Sequence, residues 1–505
     1  MLSIVSETGL GPAPASFNMA GHVLRHVDRL ADKNALEILH ADGPQIWTYA
    51  QLSRAVLGTA TGLLNLGLVA GDRVILRLGN SAEFPITYLA CIAVGLIPVP
   101  LSTQLAPPEV RKISANIQPA CTIQSDESTP ESGKTLSADK LPALHFLPPA
   151  DFALGDPNRP AYIIHTSGTS GQARAVVHAH RAVWARQMMW DGWYGLVEDD
   201  RLLHAGAFNW TYTLGTGLMD PWAIGATALI PADGTDATTL PALLAKSNAT
   251  IFAAAPGVYR RLLRGDMPTL PSLRHGLSAG EKLPEATKTA WIRATGTDVH
   301  EAFGMSECST FISGSPNHPA PAGASGFAQK GRKIGIIENG HPVPRGDVGT
   351  IAIDRADAGL MLGYLNAPED TAEKFQGDWF LTGDLGIMAA DGAVTYAGRN
   401  DDMMNAGGYR VSPIEVENAL TAHPQISEAA AVEIKVKQDV CIIAGFYVSE
   451  DVIQDASLAA WCADNLAGYK CPRQFVSVET LPRGANNKLL RRVLRQDWET
   501  ANGQA

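Results

Sequence analysis

Apolar runs of three to five residues alternate with stretches in which apolar positions recur every three or four residues, and this holds over most of the chain. That alternation of strand-like and helix-like patterning predicts an α/β fold. Trp47, Thr48 and Tyr49 followed by Gln51 and Leu52 read as a strand entering a helix. Val74, Ile75 and Leu76 form another strand, and residues 161–165 a third. Residues 84–101 are the most apolar part of the chain. A membrane span needs about 20 apolar residues. Pro85, Gly95, Pro98 and Pro100 interrupt this run, so it predicts a buried helix leading into a short strand. Residues 126–140 are polar and rich in Ser, Thr and Pro, which predicts an exposed loop.

The pattern changes character near residue 400. Ser412, Pro413, Ile414 and Glu415 make a capping box with proline in the first turn, so a helix starts there. Ile414, Val416, Ala419 and Leu420 then fall on or near one face. Residues 431–436 and 442–448 read as strands. Leu458, Trp461, Cys462 and Leu466 have helical spacing, ended by Gly468 and Pro472. A chain of 505 residues is too long for one core. The division expected is a large N-terminal α/β domain over 1–398, a polar junction at 399–402, and a small C-terminal α+β domain over 403–505. No internal repeat is visible.

Hydrophobic residues make up 46% and charged residues 18%, an ordinary globular composition. The formal net charge is −11 and no Lys/Arg run stands out, which argues against nucleic acid as a partner. An anionic ligand must therefore be held by local groups. Cys91, Cys121, Cys308, Cys441, Cys462 and Cys471 include no CxxC pair, so free thiols in a reducing cytosol are expected. The first residues show no charged start followed by an apolar run, and a cytoplasmic location with no membrane span is expected.

The strand at 161–165 runs into Thr166, Ser167, Gly168, Thr169, Ser170, Gly171, Gln172, Ala173 and Arg174. Glycines and small hydroxyl residues let backbone N–H groups converge on an anion, and Arg174 adds a positive charge. A solvated Ser/Gly turn has the same composition. The stretch is not a GxxxxGK(S/T) phosphate loop, because no Gly-Lys-Ser/Thr follows. It resembles the phosphate loop of the adenylate-forming superfamily, which includes acyl- and aryl-CoA synthetases, peptide-synthetase adenylation domains and beetle luciferases. That family's loop reads (S/T)SGTTGxPKG. This chain carries Ser170, Ala173, Arg174 and Ala175 where the family has Thr, Pro, Lys and Gly.

Four further stretches resemble the family in order and spacing. Ala302, Phe303, Gly304, Met305, Ser306 and Glu307 resemble YGxTE. The resemblance implies Phe303 against adenine, Gly304 and Ser306 near the phosphates, and Glu307 holding Mg2+, a hard cation that takes one or two carboxylates plus substrate phosphates. The segment from Ser278 to Glu281 adds Gly280 and Glu281 to the expected AMP site. Trp379 to Asp384 resembles YxTGD, with Asp384 accepting from the ribose hydroxyls. Gly398, Arg399, Asn400, Asp401 and Asp402 resemble GRxDD. Arg399 would reach ribose or phosphate, and Asp401 would be the hinge of a mobile C-terminal domain. Asn405 to Val411 matches KxxGxxV with Asn405 for Lys, and implies that Gly407, Gly408 and Tyr409 line a coenzyme A tunnel. Pro482 to Lys488 resembles PxxxxGK, with Asn487 for Gly and Lys488 as the catalytic lysine.

The resemblance covers about residues 47–492 and implies an acid–thiol ligase. A carboxylate attacks the α-phosphorus of ATP, pyrophosphate leaves, and a thiol then displaces AMP. Glu307 and Lys488 are the expected catalytic residues; ATP, Mg2+ and coenzyme A are the expected cofactor and co-substrates. Trp210, Thr211, Tyr212, Ala279 and Met305 are expected to border the acyl pocket. Local text resembles benzoate-type and medium-chain CoA ligases, implying an aromatic or a short to medium aliphatic acid. A free-standing enzyme that loads a carrier protein, or a non-catalytic nucleotide-binding homologue, stays open. A monomer or homodimer is expected. His178 and His180, after the loop, are read as packing or locally hydrogen-bonded residues.

Overall fold

In a computed structural model, the chain is described except at residues 7–8, 126–132, 167–173, 281, 400–403, 407–408, 412, 438–439, 483–488 and 503–505, with side chains of 398, 399, 410, 414 and 492 also set aside. Val299–Met305, His275–Ala279, Ile251–Ala254, Arg201–His204, Thr227–Pro231 and Asn34–His40 lie side by side, each parallel to the next. Ser309–Ser313 and Phe327–Ala328 extend one edge antiparallel, and Gly43–Thr48 the other. Their registers put Leu202, Ala253, Leu277 and Ala279 in one apolar layer with Trp193, Tyr194 and Tyr212. Leu203, Phe252 and Ala254 fill the opposite layer with Tyr259, Leu262 and Trp291. Both faces are covered, as a parallel sheet requires.

A second parallel sheet orders Ile97–Pro100, Arg73–Arg77, Cys121–Gln124 and Lys134–Ser137. The apolar run at 84–101 becomes the helix Glu83–Ala93, buried from Phe84 onward, and then the strand Ile97–Pro100. Helix Tyr49–Asn65 starts where expected: the Thr48 hydroxyl accepts from Gln51 N–H, and the Gln51 side chain accepts from Thr48 N–H. The loop expected over 126–140 is only partly one. Lys134–Ser137 joins the sheet as an edge strand, and Ala138–Lys140 forms a 3-10 turn. Leu136, with 9% exposure, is the single apolar residue that docks this strand, too weak a pattern to register as one.

A third sheet, antiparallel, is built around Lys333–Glu338, Val348–Asp354 and Trp379–Met388, with Val394–Arg399 beside the last. The chain divides into two compact units. One comprises Met1–Thr103, Ile117–Ile164 and Ala175–Gly398; the other comprises Gln104–Asn116, His165–Arg174 and Arg399–Ala505. In the second unit the strands Glu428–Lys437 and Val440–Val448 form a hairpin longer than the two predicted runs, and Gln474–Ser477 adds a parallel strand. Helix Pro413–Thr421 packs on it, and its Glu417 takes both arms of Arg491 at 2.8 Å. Ser412 of the capping box lies outside the described residues. Glu415 of the box stands 3.5 Å from Lys470 Nζ.

Among the described residues no helix is long and apolar enough to cross a membrane. All six cysteines are free.

Burial holds several histidines of the first unit neutral. His178, His275 and His300 are pushed down to about 4, and His180 and His204 to about 3. The unfolded chain binds these protons near pH 6.5, while the folded chain resists them. Stability is therefore full above pH 6.5 and is lost as the pH falls towards 4. Calorimetric thermal midpoints taken at pH 7, 6 and 5 should fall across the series. His204→Phe removes one such group and should make the fall shallower.

Candidate active site

Three segments singled out in the sequence leave carboxyl ends of strands in the one parallel sheet. Trp210 to Tyr212 follow Arg201–His204, Gly280 follows His275–Ala279, and Ser306 and Glu307 follow Val299–Met305. Ligands of open α/β sheets bind at this end. Gly280 has φ +98°, which lets the chain turn sharply off its strand.

Val299–Met305 turns back into Ser309–Ser313 through a β-turn closed by Cys308 N–H donating to the Met305 carbonyl at 3.2 Å. Glu307 sits in the turn with 8% exposure. Its Oε1 accepts from the Tyr364 hydroxyl at 2.7 Å, and its backbone carbonyl accepts from Met361 N–H at 2.8 Å. Tyr364 is placed by the short strand Gly363–Tyr364, which pairs with Val176 and Val177. One residue further along that neighbouring strand, His178 donates from Nε2 to the Ser306 carbonyl at 2.7 Å and stacks on Tyr162 at 4.7 Å. Neutral His178 is thus a prop for the turn. His180 accepts from Met19 N–H at 3.0 Å. Both histidines make the local bonds expected of them.

Phe303 lies against Phe311 at 5.5 Å and Tyr396 at 6.0 Å between ring centres. Gly304 lies where the returning strand crosses. A Cβ there would stand 2.3 Å from the Ser309 carbonyl oxygen, so no larger residue fits. Asp384, with 5% exposure, belongs to Trp379–Met388. Its N–H donates to Thr382 Oγ1 at 3.0 Å, and Thr382 in turn donates to the Ile351 carbonyl at 2.7 Å. One hydrophobic cluster joins Phe303 and Met305 to Tyr364 and to Phe380 of the Asp384 strand.

Tyr212 donates to the Leu277 carbonyl at 3.1 Å and meets Trp210 edge to face at 5.2 Å. Trp193 stacks behind it at 5.6 Å, and His204 meets it edge to face at 4.4 Å. Ala279 is buried in the same apolar layer. Among the described residues, the hydroxyls of Thr211 and Thr213 and both ring nitrogens of His204 are buried without a hydrogen-bond partner.

Thr166 and Arg174 are described, and the Thr166 hydroxyl donates to the Arg174 carbonyl at 3.4 Å. Tyr409 stacks on Tyr469 at 4.1 Å within the second unit. Ser167, Gly168, Thr169, Ser170, Gly171, Glu281, Asp401, Gly407, Gly408 and Lys488 lie outside the described residues, as does the side chain of Arg399.

Reading the sequence missed Tyr364, Tyr396 and Arg186. Arg186 is buried. Its Nε and Nη2 donate to Asp220 at 2.6–3.0 Å, Nη2 also reaches the Tyr194 oxygen at 3.0 Å, and Nη1 donates to Ser309 Oγ at 2.6 Å. A lone arginine among Val183, Trp184, Met188, Met189 and Trp190 was the available signal. Cys308, next to Glu307, is also buried. Its Sγ lies 3.9 Å from Asp357 Oδ1, and burial together with that carboxylate raises its pKa.

The sequence matches the AMP-binding enzyme family over residues 23–365, and the C-terminal domain of AMP-binding enzymes over 415–488. The chain belongs to the AMP-binding enzyme family. This AMP-binding enzyme is 30% identical over 482 residues to a 3-hydroxybenzoate–CoA/4-hydroxybenzoate–CoA ligase of Thauera aromatica, covering 89% of this chain and 91% of that one. It is similar to the structure of the anthranilate CoA ligase AuaEII in complex with anthranoyl-AMP, at 27% identity and TM-score 0.71, covering 97% of this chain and 99% of that one. The o-succinylbenzoate CoA synthetase of Bacillus subtilis shares the fold at TM-score 0.84 and 24% identity, covering 95% and 99%.

Tyr364→Phe deletes the hydroxyl that steadies Glu307 while keeping the ring. Losing a hydrogen bond to a charged group removes about 1.5–3 kcal/mol. The variant should unfold at a lower temperature than the parent, read by calorimetry.

Proposed function

We propose that this AMP-binding enzyme is an ATP-dependent ligase that joins an aromatic, benzoate-like acid to coenzyme A. The observation that carries the reading is the Glu307 turn. A buried carboxylate, steadied by Tyr364, stands beside Phe303 at the carboxyl end of a parallel strand in a chain matched by this family on both sides of residue 400. The aromatic acid is supported by the Trp210, Tyr212 and Trp193 wall, and by relatives named for hydroxybenzoates and anthranilate.

In this reading Phe303 lies against adenine and Asp384 accepts from the ribose hydroxyls. Thr166 to Gly171, Arg174, Gly280, Glu281, Gly304, Ser306 and Arg399 surround the phosphates and AMP. Among the described residues no group of three or more His, Cys, Asp or Glu side chains could hold a metal. A single carboxylate, Glu307, suits Mg2+ that arrives with the ATP phosphates rather than in a protein cage. That ion would supply charge neutralisation. The acid's carboxylate oxygen attacks the α-phosphorus, the bond to pyrophosphate breaks, and an acyl-adenylate results. Lys488 stabilises charge that develops in this step. The coenzyme A thiol then attacks the acyl carbonyl, its proton is lost, and AMP leaves. Residues 1–398 bind ATP and the acid, Asp401 is the hinge, and 403–505 carry Lys488 and the tunnel residues Gly407, Gly408 and Tyr409. The protein acts in the cytoplasm as a monomer or homodimer.

The purified enzyme should exchange labelled pyrophosphate into ATP in the presence of benzoate, a hydroxybenzoate or a 2-aminobenzoate. Lys488→Ala should lower the exchange rate at least about a hundredfold. AMP release should depend on coenzyme A. Exchange without any response to coenzyme A would favour loading of a carrier protein instead.

A further inference from the structure

The turn that presents Glu307 contains a conformation its sequence does not favour. A three-residue hairpin loop built on a β-turn needs a residue with positive φ just after the turn, and glycine is its usual occupant. Here that residue is Ser309, at φ +64°, paired across the hairpin with Met305. A non-glycine residue in this region is strained by its Cβ. The buried guanidinium of Arg186 offsets this strain by donating to Ser309 Oγ at 2.6 Å. Arg186 is itself locked by its fork on Asp220 and by Tyr194. Asp220 follows the helical segment Thr213–Met219, so the same cation ties the acyl-pocket side of the sheet end to the nucleotide side. The hairpin has no slack. The ladder shifts register between Phe303 and Gly304, and Gly304 has no room for a Cβ against Ser309. A change of φ at Ser309 therefore moves Gly304, and with it the Phe303 ring and the Glu307 carboxylate.

We propose that Arg186 is a positioning residue for the nucleotide: through Ser309 Oγ it holds a left-handed backbone that keeps Phe303 and Glu307 aimed at ATP. This rests on the reading that Phe303 and Glu307 bind ATP.

Arg186→Met would leave Asp220 buried and unpaired, which endangers folding, so the test is made at Ser309. Ser309→Ala and Ser309→Gly lose the same hydrogen bond and differ in backbone freedom. Mg2+-ATP affinity is titrated for the full-length parent, both variants and Phe303→Ala, with thermal midpoints as a control for folding. Ser309→Ala should weaken ATP binding about fivefold or more, and Ser309→Gly should recover most of that loss. If both variants bind ATP like the parent, or both lose affinity equally, while Phe303→Ala binds weakly, the role of Arg186 is overturned and the nucleotide site stands. If Phe303→Ala binds ATP as the parent does, the site reading fails and this role fails with it.

Discussion

Arg186 and Asp220 are both buried, and neither is tolerable there alone. Taking a carboxylate and a guanidinium out of water is expensive, and their attraction repays it only in good geometry with the remaining donors used. The geometry here is of that kind: a fork of 2.6–3.0 Å contacts, with Tyr194 and Ser309 taking further N–H groups. Such a pair adds little net stability over a well-packed apolar pair, but it permits few alternative arrangements. The helical segment after Tyr212, the aromatic layer around Tyr194 and the hairpin carrying Glu307 all have to meet around it.

A second layer of constraint comes from hydrogen bonds made to backbone rather than to ligands. His178 holds the Ser306 carbonyl, Tyr212 the Leu277 carbonyl, and Thr382 the Ile351 carbonyl. The first two join a loop at the carboxyl end of a strand to a neighbouring element, and the third ties two neighbouring strands together. These bonds fix the backbone on which Ser306, Glu307 and Tyr212 stand. Glu307 is the informative case, because its carboxylate is steadied by the neutral hydroxyl of Tyr364.

Much of this was legible in sequence where local chemistry leaves little choice. Thr48 and Gln51 cap their helix reciprocally, as their spacing dictates, and the prolines of residues 84–101 sit at a helix start and in a strand. Gly280 and Gly304 are glycine for reasons of space and φ that any chain following this path would meet. Tyr364 and Tyr396 were not legible, because each acts across more than fifty residues of chain and carries no local signature; Arg186 left a local trace among apolar neighbours, but nothing in it pointed to Ser309. The edge strand Lys134–Ser137 escaped for a different reason: one buried leucine is not a period. The same limit applies to the residues proposed to border the acyl group. Its aromatics are visible in the sequence, but the packing of Tyr212 against Trp193 and His204 is set by strand register.

An enzyme that hands an activated acyl group to a thiol has an internal hazard, since a sulfur of its own could capture the acyl group first. Cys308 is the residue most exposed to that temptation by position, being adjacent to Glu307. Sulfur attacks as thiolate, and its reactivity follows its ionisation. Sealed from solvent beside the Asp357 carboxylate, Cys308 stays protonated. Burial thus keeps the thiol next to Glu307 in its unreactive protonated form, so discrimination between the protein's own sulfur and a substrate's is built into the surroundings of a single side chain.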